Sequence, residues 1–144
     1  FVDIRVTVGS RAAVLVIVIA KFVDIGAYYG GRAFGRHKLA PVVSPKKTIE
    51  GLAIGLLAGA AAAIGLNALP GMMVMPWRWL VPFSLIVGAS AQLGDLAESL
   101  VKRDAAAKDS GAVIPGFGGV LDVIDCLLIA GPVAYFLFRF VPTS

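Results

Sequence analysis

Charge is scarce in this 144-residue chain: 15% of its residues are Asp, Glu, Lys or Arg, against roughly 25% in an ordinary soluble domain. Cysteine is nearly absent, and the single Cys126 excludes an internal disulfide and a cysteine zinc cluster. Histidine is equally thin: His37 has no second histidine at ligand spacing, which suits a solvated or phosphate-contacting role better than metal binding. Neither a Walker A motif nor a GxGxxG fingerprint occurs. What is abundant is apolar surface, 58% of residues with a mean hydropathy of +0.88. A 14.9 kDa soluble particle cannot hide that much. Lipid is therefore the expected solvent. The net charge of +4 and pI near 9.5 then read as basic loops beside a membrane, with no nucleic-acid partner implied.

The chain begins at Phe1, and its first apolar run follows only Asp3, Arg5 and Arg11, as if cut from a longer polypeptide. No small-residue cleavage site of signal-peptide type follows that run, so it reads as a membrane span. A hydrocarbon core about 30 Å thick needs roughly 20 helical residues. Four stretches meet that need, near residues 12–29, 51–69, 79–98 and 120–141. The expected architecture is all-α: a single polytopic membrane domain of four apolar helices. The second stretch, GLAIGLLAGAAAAIGLNAL, is rich in small residues that let helix backbones approach closely, which predicts a packed interior helix. PGMMVMPWRW then predicts a tight hairpin, with Pro70, Gly71 and Pro76 breaking the helix and Trp77 and Trp79 at headgroup level. Its three methionines read as apolar filler.

The two remaining connections are basic. Residues 30–50 carry Arg32, Arg36, His37, Lys38, Lys46 and Lys47, and residues 99–119 carry Lys102, Arg103 and Lys108. Two spans separate them, so both lie on one side, and the positive-inside rule makes that side cytoplasmic.

Five of the nine acidic residues, Asp24, Asp95, Glu98, Asp122 and Asp125, fall inside or at the ends of these apolar segments. An Asp at mid-helix costs about 2.5–3.5 kcal/mol on insertion scales, so such residues are functional candidates facing a polar cavity. Asp95 and Glu98 are three apart, as are Asp122 and Asp125, so each pair shares one helix face. Both pairs flank the second basic loop, which predicts a site at the cytoplasmic ends of spans three and four. Carboxylates gathered there need cations, and oxygen ligands favour Mg²⁺ or Mn²⁺ over zinc. The loop between them, KRDAAAKDSGAVIPGFGG, suits phosphate: Lys102, Arg103 and Lys108 neutralise oxygens, while Gly111, Gly116, Gly118 and Gly119 let backbone approach closely. Metal, cations and exposed amides together assist phosphoryl and nucleotidyl transfer. The first basic loop mixes Gly, Pro and cations too, with Asp24 ahead of it, so phosphate or an anionic headgroup is a candidate ligand there.

The stretch SLVKRDAAAKDSGAVIPGFGGVLDVID, Ser99 to Asp125, resembles the signature of phosphatidate cytidylyltransferases, S-x-x-K-R-x(4)-K-D-x-G-x(2)-[LIF]-P-G-H-G-G-x-x-D-R-x-D. QLGDLAES just upstream supports the likeness, and DIGAYYGGRAFGRHKLAPVVSPKKTIEG, Asp24 to Gly51, resembles that family's other marked segment. Members are about twice as long, so the chain resembles their C-terminal half. The resemblance implies transfer of CMP from CTP to phosphatidic acid, yielding CDP-diacylglycerol and pyrophosphate in phospholipid biosynthesis. It further implies Mg²⁺, K⁺ as a candidate second ion, an integral protein of the bacterial inner membrane whose site faces the cytoplasm, and a homodimer as a candidate assembly. By matching position, Asp95, Asp122 and Asp125 would surround the metal. Asp95, Lys102, Arg103, Lys108 and Asp109 would carry catalysis, and Ser44, Lys46, Lys47, Ser99, Gly118 and Gly119 would bind substrate.

Two positions depart from the signature: Phe117 stands at the usual His and Val123 at the usual Arg, each removing a phosphate contact. Two other readings compete. An ion-coupled transporter would spread its acidic residues across the bilayer, whereas here they cluster beside the basic loops. A CTP-dependent lipid kinase differs only in the group transferred. A CDP-alcohol phosphotransferase is disfavoured because D-x(2)-D-G-x(2)-A-R is absent.

Overall fold

The computed structural model describes residues 1–41, 43–104 and 120–141, with backbone alone at 102–104 and 120–125. A short helix α1 (Val2–Thr7) leads into α2 (Ser10–Phe34). A hairpin of β1 (Lys38–Ala40) and β2 (Ser44–Thr48) precedes α3 (Ile49–Asn67), α4 (Trp77–Asp104) and α5 (Val120–Phe138). The architecture is all-α and polytopic, as its composition requires. α2, α3 and residues 77–101 of α4 are long and apolar enough to cross a bilayer, while α5 carries a shorter apolar stretch, Cys126–Phe138.

Buried positions recur at helical spacing. Leu80, Phe83, Val87 and Ala91 of α4 face Cys126, Ala130, Ala134 and Phe138 of α5, and the rings of Phe83 and Phe138 stack 4.7 Å apart. Leu15, Val16, Ile19 and Val23 of α2 complete this core, which α1 plugs with the fully buried Ile4.

α3 packs against α2 at backbone distance. Gly51, Gly55 and Gly59 form one stripe at intervals of four. A Cβ on Gly55 would lie 2.6 Å from the Val23 carbonyl oxygen, and one on Gly51 would lie 2.7 Å from that of Ala27. The expectation of an interior helix is nonetheless corrected. Only 28% of α3's apolar window is buried, and Ala53, Leu57, Ala61 and Ile64 are exposed, because only the face that carries Gly51, Gly55, Gly59 and Ala63 is covered.

At one end, the α3–α4 connection is the tight turn that its prolines and glycine anticipate. Asn67 closes it from within: its Nδ2 donates to the Met75 carbonyl at 3.2 Å, and its Oδ1 accepts from Val74 N at 2.9 Å. Gly71 takes a left-handed φ of 74°. The methionines divide here, with Met75 fully buried and Met73 exposed. At the other end, the first basic segment is an antiparallel hairpin with Lys38 opposite Thr48 and Ala40 opposite Ser44, where the sequence suggested only loop.

Candidate active site

The hairpin delivers two lysines to the helices. Thr48 ends β2 and caps α3, its Oγ1 accepting from Gly51 N at 3.2 Å, so the SPKK run is fixed directly above the glycine seam. On the outer side Glu50 anchors the hairpin start. Its carboxylate accepts from the backbone N of Arg36 at 3.1 Å and of His37 at 3.2 Å, and pairs with His37 Nδ1 at 2.6 Å. This gives His37 a structural partner.

Between α2, the hairpin, α3 and α4 lies a cavity of about 320 Å³. From α2 it takes Asp24, Ala27, Tyr28, Gly31 and Arg32, which is the i, i+3, i+4, i+7, i+8 stripe of one helix face. β2 contributes Lys46, Lys47 and Thr48, α4 contributes Gln92 and Asp95, and Leu39 and Leu52 give apolar wall. Lys47 Nζ sits 2.6 Å from Asp95 Oδ2 and 3.5 Å from the Gln92 carbonyl. Gln92, 4% exposed, donates through Nε2 to Asp24 Oδ1 at 2.8 Å. Acidic residues from two helices thus share one cavity with the lysines of a hairpin.

The depth of the site is set by the helices. Asp24 lies ten residues before the end of α2 and Asp95 nine before the end of α4, which at 1.5 Å per residue is roughly 14–15 Å inward. These carboxylates stand inside the helices and not at their tips. Each has a polar partner from another element, which offsets the cost of its place among apolar helices.

Of the residues singled out in the sequence, Asp95, Lys46 and Lys47 line this cavity together. Ser99 does not: its Oγ donates to the Asp95 carbonyl one turn back. Ser44 pairs in the strand opposite Ala40 and stands outside the cavity lining. Glu98 is buried on α4, also away from the lining. Lys102, Arg103, Asp122, Asp125 and Val123 lie on α4 or α5, but their side chains lie outside the described residues, as do Lys108, Asp109, Gly111, Gly116, Phe117, Gly118 and Gly119 altogether. A site was anticipated at spans three and four; of these the described lining of the cavity takes α4, and it adds α2, α3 and the hairpin.

Gln92, Arg32 and Tyr28 were not assigned to the site from the sequence, although two signals pointed to them. Gln92 stands three residues before Asp95, and Arg32 and Tyr28 stand on the face of Asp24. Cys126, fully buried as a small core residue should be, also accepts a hydrogen bond from Lys21 Nζ at 3.3 Å, one turn before Asp24.

The donor chemistry fits a hard cation. Asp24 and Asp95 bring carboxylate oxygens to one cavity, and the Lys47 ammonium against Asp95 marks the place where positive charge is held. Among the described residues no three acidic, histidine or cysteine side chains converge on one point.

Comparison with known proteins agrees with this picture. The model of the cytidylyltransferase family matches residues 4–141. A phosphatidate cytidylyltransferase of Brucella suis is 46% identical over 129 residues, covering 88% of this chain and 46% of that protein. The Thermotoga maritima enzyme of the same name is 36% identical over 143 residues, covering 96% and 53%. The chain therefore spans about half the length of the curated relatives it matches. A solved structure of an intramembrane enzyme for archaeal membrane lipid biosynthesis superposes with a TM-score of 0.64 at 28% identity, covering 87% of this chain and 77% of that one. A basic and acidic cavity set among membrane helices, with sequence agreement along nearly the whole chain, leads to one conclusion: the chain belongs to the cytidylyltransferase family.

Proposed function

We propose that this chain supplies the nucleotide-handling half of a phosphatidate cytidylyltransferase. CMP passes from CTP to phosphatidic acid, giving CDP-diacylglycerol and pyrophosphate. The observation that carries the proposal is the joining of Lys46, Lys47 and Arg32 with Asp24 and Asp95 in one intramembrane cavity. A phosphorylated lipid reaches such a cavity from the bilayer, and its headgroup meets cations while Leu39 and Leu52 face apolar parts of the ligand.

In the proposed reaction a phosphatidate oxygen attacks the α-phosphorus of CTP and the bond to pyrophosphate breaks. Lys46 and Arg32 hold phosphate oxygens, and Lys47 moves between Asp95 and the substrate as charge develops. Lys102, Arg103, Lys108 and Asp109, with the backbone of Gly118 and Gly119, hold the triphosphate. Mg²⁺, with K⁺ as second ion, would be held by Asp95, Asp122 and Asp125 and would stabilise charge on the leaving pyrophosphate. The proposal includes the bacterial inner membrane with the cavity toward the cytoplasm, and a homodimer, for which the exposed outer face of α3 is an available surface. A transporter is less well supported, since Asp95 is already paired with Lys47 and the cavity carries Lys46 and Arg32 besides, cations that suit phosphate.

The test is to supply CTP and phosphatidate to the full-length polypeptide in detergent, with and without Mg²⁺, and to follow CDP-diacylglycerol. Metal-dependent product is expected from the unmodified protein and from Phe117→His/Val123→Arg. Product from the double variant alone would mean that these two departures impair the enzyme. Silence from both would overturn the proposal.

A further inference from the structure

The Gln92 side chain ties Asp24 to the helix that carries Asp95. Its side-chain amide donates to Asp24 Oδ1 on α2 at 2.8 Å, its backbone carbonyl accepts from Lys47 at 3.5 Å, and it stands three residues before Asp95 on α4. At 4% exposure it is nearly sealed inside the protein. A neutral amide is a specific choice here. It fixes the orientation of a carboxylate without neutralising it, whereas Lys or Arg would cancel the charge that a cation is meant to meet. The charges facing Asp24 are Lys21 on its own helix, Asp95 on α4 and Lys47 on β2, with the Cys126 thiol as a further hydrogen-bonding neighbour. Lys21 and Lys47 both have other partners, Cys126 and Asp95. The direction of the Asp24 carboxylate is thus set from α4.

We infer that Gln92 is a positioning residue: it aims the Asp24 carboxylate into the cavity beside Asp95, so that Asp24 adds a carboxylate, beyond the ligands carried over from the family, to the cation held at Asp95. The inference rests on the reading of the cavity as a metal-assisted nucleotidyl-transfer site.

The test uses Mn²⁺ as probe, with its binding to the full-length polypeptide in detergent measured by electron paramagnetic resonance in the absence of CTP and lipid, alongside thermal unfolding. Gln92→Met keeps the side chain's length and removes the donor. It is expected to weaken Mn²⁺ binding about 10- to 100-fold, the range for partners that orient a metal ligand. The exchanged pair Asp24→Asn/Gln92→Glu restores a hydrogen bond between α2 and α4 but moves the charge to the other helix. It is expected to keep the unfolding temperature of the unmodified protein and to stay as weak in Mn²⁺ binding as Gln92→Met. Recovery of Mn²⁺ binding in the exchanged pair, or unchanged binding in Gln92→Met, would reduce Gln92 to a helix–helix tie and overturn the inference. Absence of Mn²⁺ binding by the unmodified protein would instead overturn the underlying reading of the site.

Discussion

Helix α2 faces two neighbours in opposite ways. Toward α3 it presents backbone: Val23 and Ala27 meet the glycine stripe so closely that a single Cβ at Gly55 would lie 2.6 Å from a carbonyl oxygen. Toward α4 it presents side chains, with Asp24 reaching Gln92 and a cavity of about 320 Å³ left between them. The difference teaches how one membrane helix can serve both rigidity and a polar cavity. In lipid there is no hydrophobic gain from helix association, so the α2–α3 seam is held by close van der Waals approach. The α2–α4 side shares the apolar core along part of its length and, at the cavity, is joined by the Asp24–Gln92 hydrogen bond between groups that can also meet a ligand.

Four substitutions separate the two sides. The largest effect is expected from Asp122→Asn, at the start of α5 by the cavity's acidic helices: metal-dependent turnover should fall about 100-fold or more while the protein still inserts, and wild-type turnover would remove it from the site. Gly55→Leu should break the seam instead. Helix propensity improves by less than about 1 kcal/mol, but overpacking against backbone costs about 1–3 kcal/mol, so unfolding in detergent should occur at lower temperature. Lys47→Met leaves Asp95 without its 2.6 Å partner and removes the phosphate contact proposed for Lys47. A lost hydrogen bond to a charged group predicts turnover lowered about 10- to 100-fold with stability little changed, and steady-state kinetics check it. Glu50→Gln weakens only the outer anchor of the hairpin at His37 and Arg36. As a surface contact it should leave turnover within about twofold while amide exchange at residues 36–37 speeds up.

Much of this was legible in the sequence because lipid imposes simple rules. Span length, the proline and glycine break at 70–76 and the cost of carboxylates among apolar residues are local properties, and they yielded the helices and the candidacy of Asp24 and Asp95. The SPKK lysines followed from the family pattern. What was not legible depends on tertiary placement. The β1–β2 pairing joins residues that carry no strand pattern strong enough to stand out from Gly, Pro and Lys. The small residues of α3 promised burial on all sides, yet only their stripe is covered. Gln92 looked like an ordinary polar residue near a motif, since its significance lies in a bond to a helix 68 positions away.

The central claim is that the cavity lined by α2, β2 and α4 transfers a nucleotidyl group to a lipid phosphate. The most direct measurement supplies the full-length polypeptide with phosphatidate and CTP labelled in either the α- or the γ-phosphate, beside Asp95→Asn. The account predicts α-label in lipid, γ-label only in pyrophosphate, and loss of lipid labelling by about 100-fold in the variant. Transfer of γ-label to lipid, or undiminished α-labelling by Asp95→Asn, would contradict it.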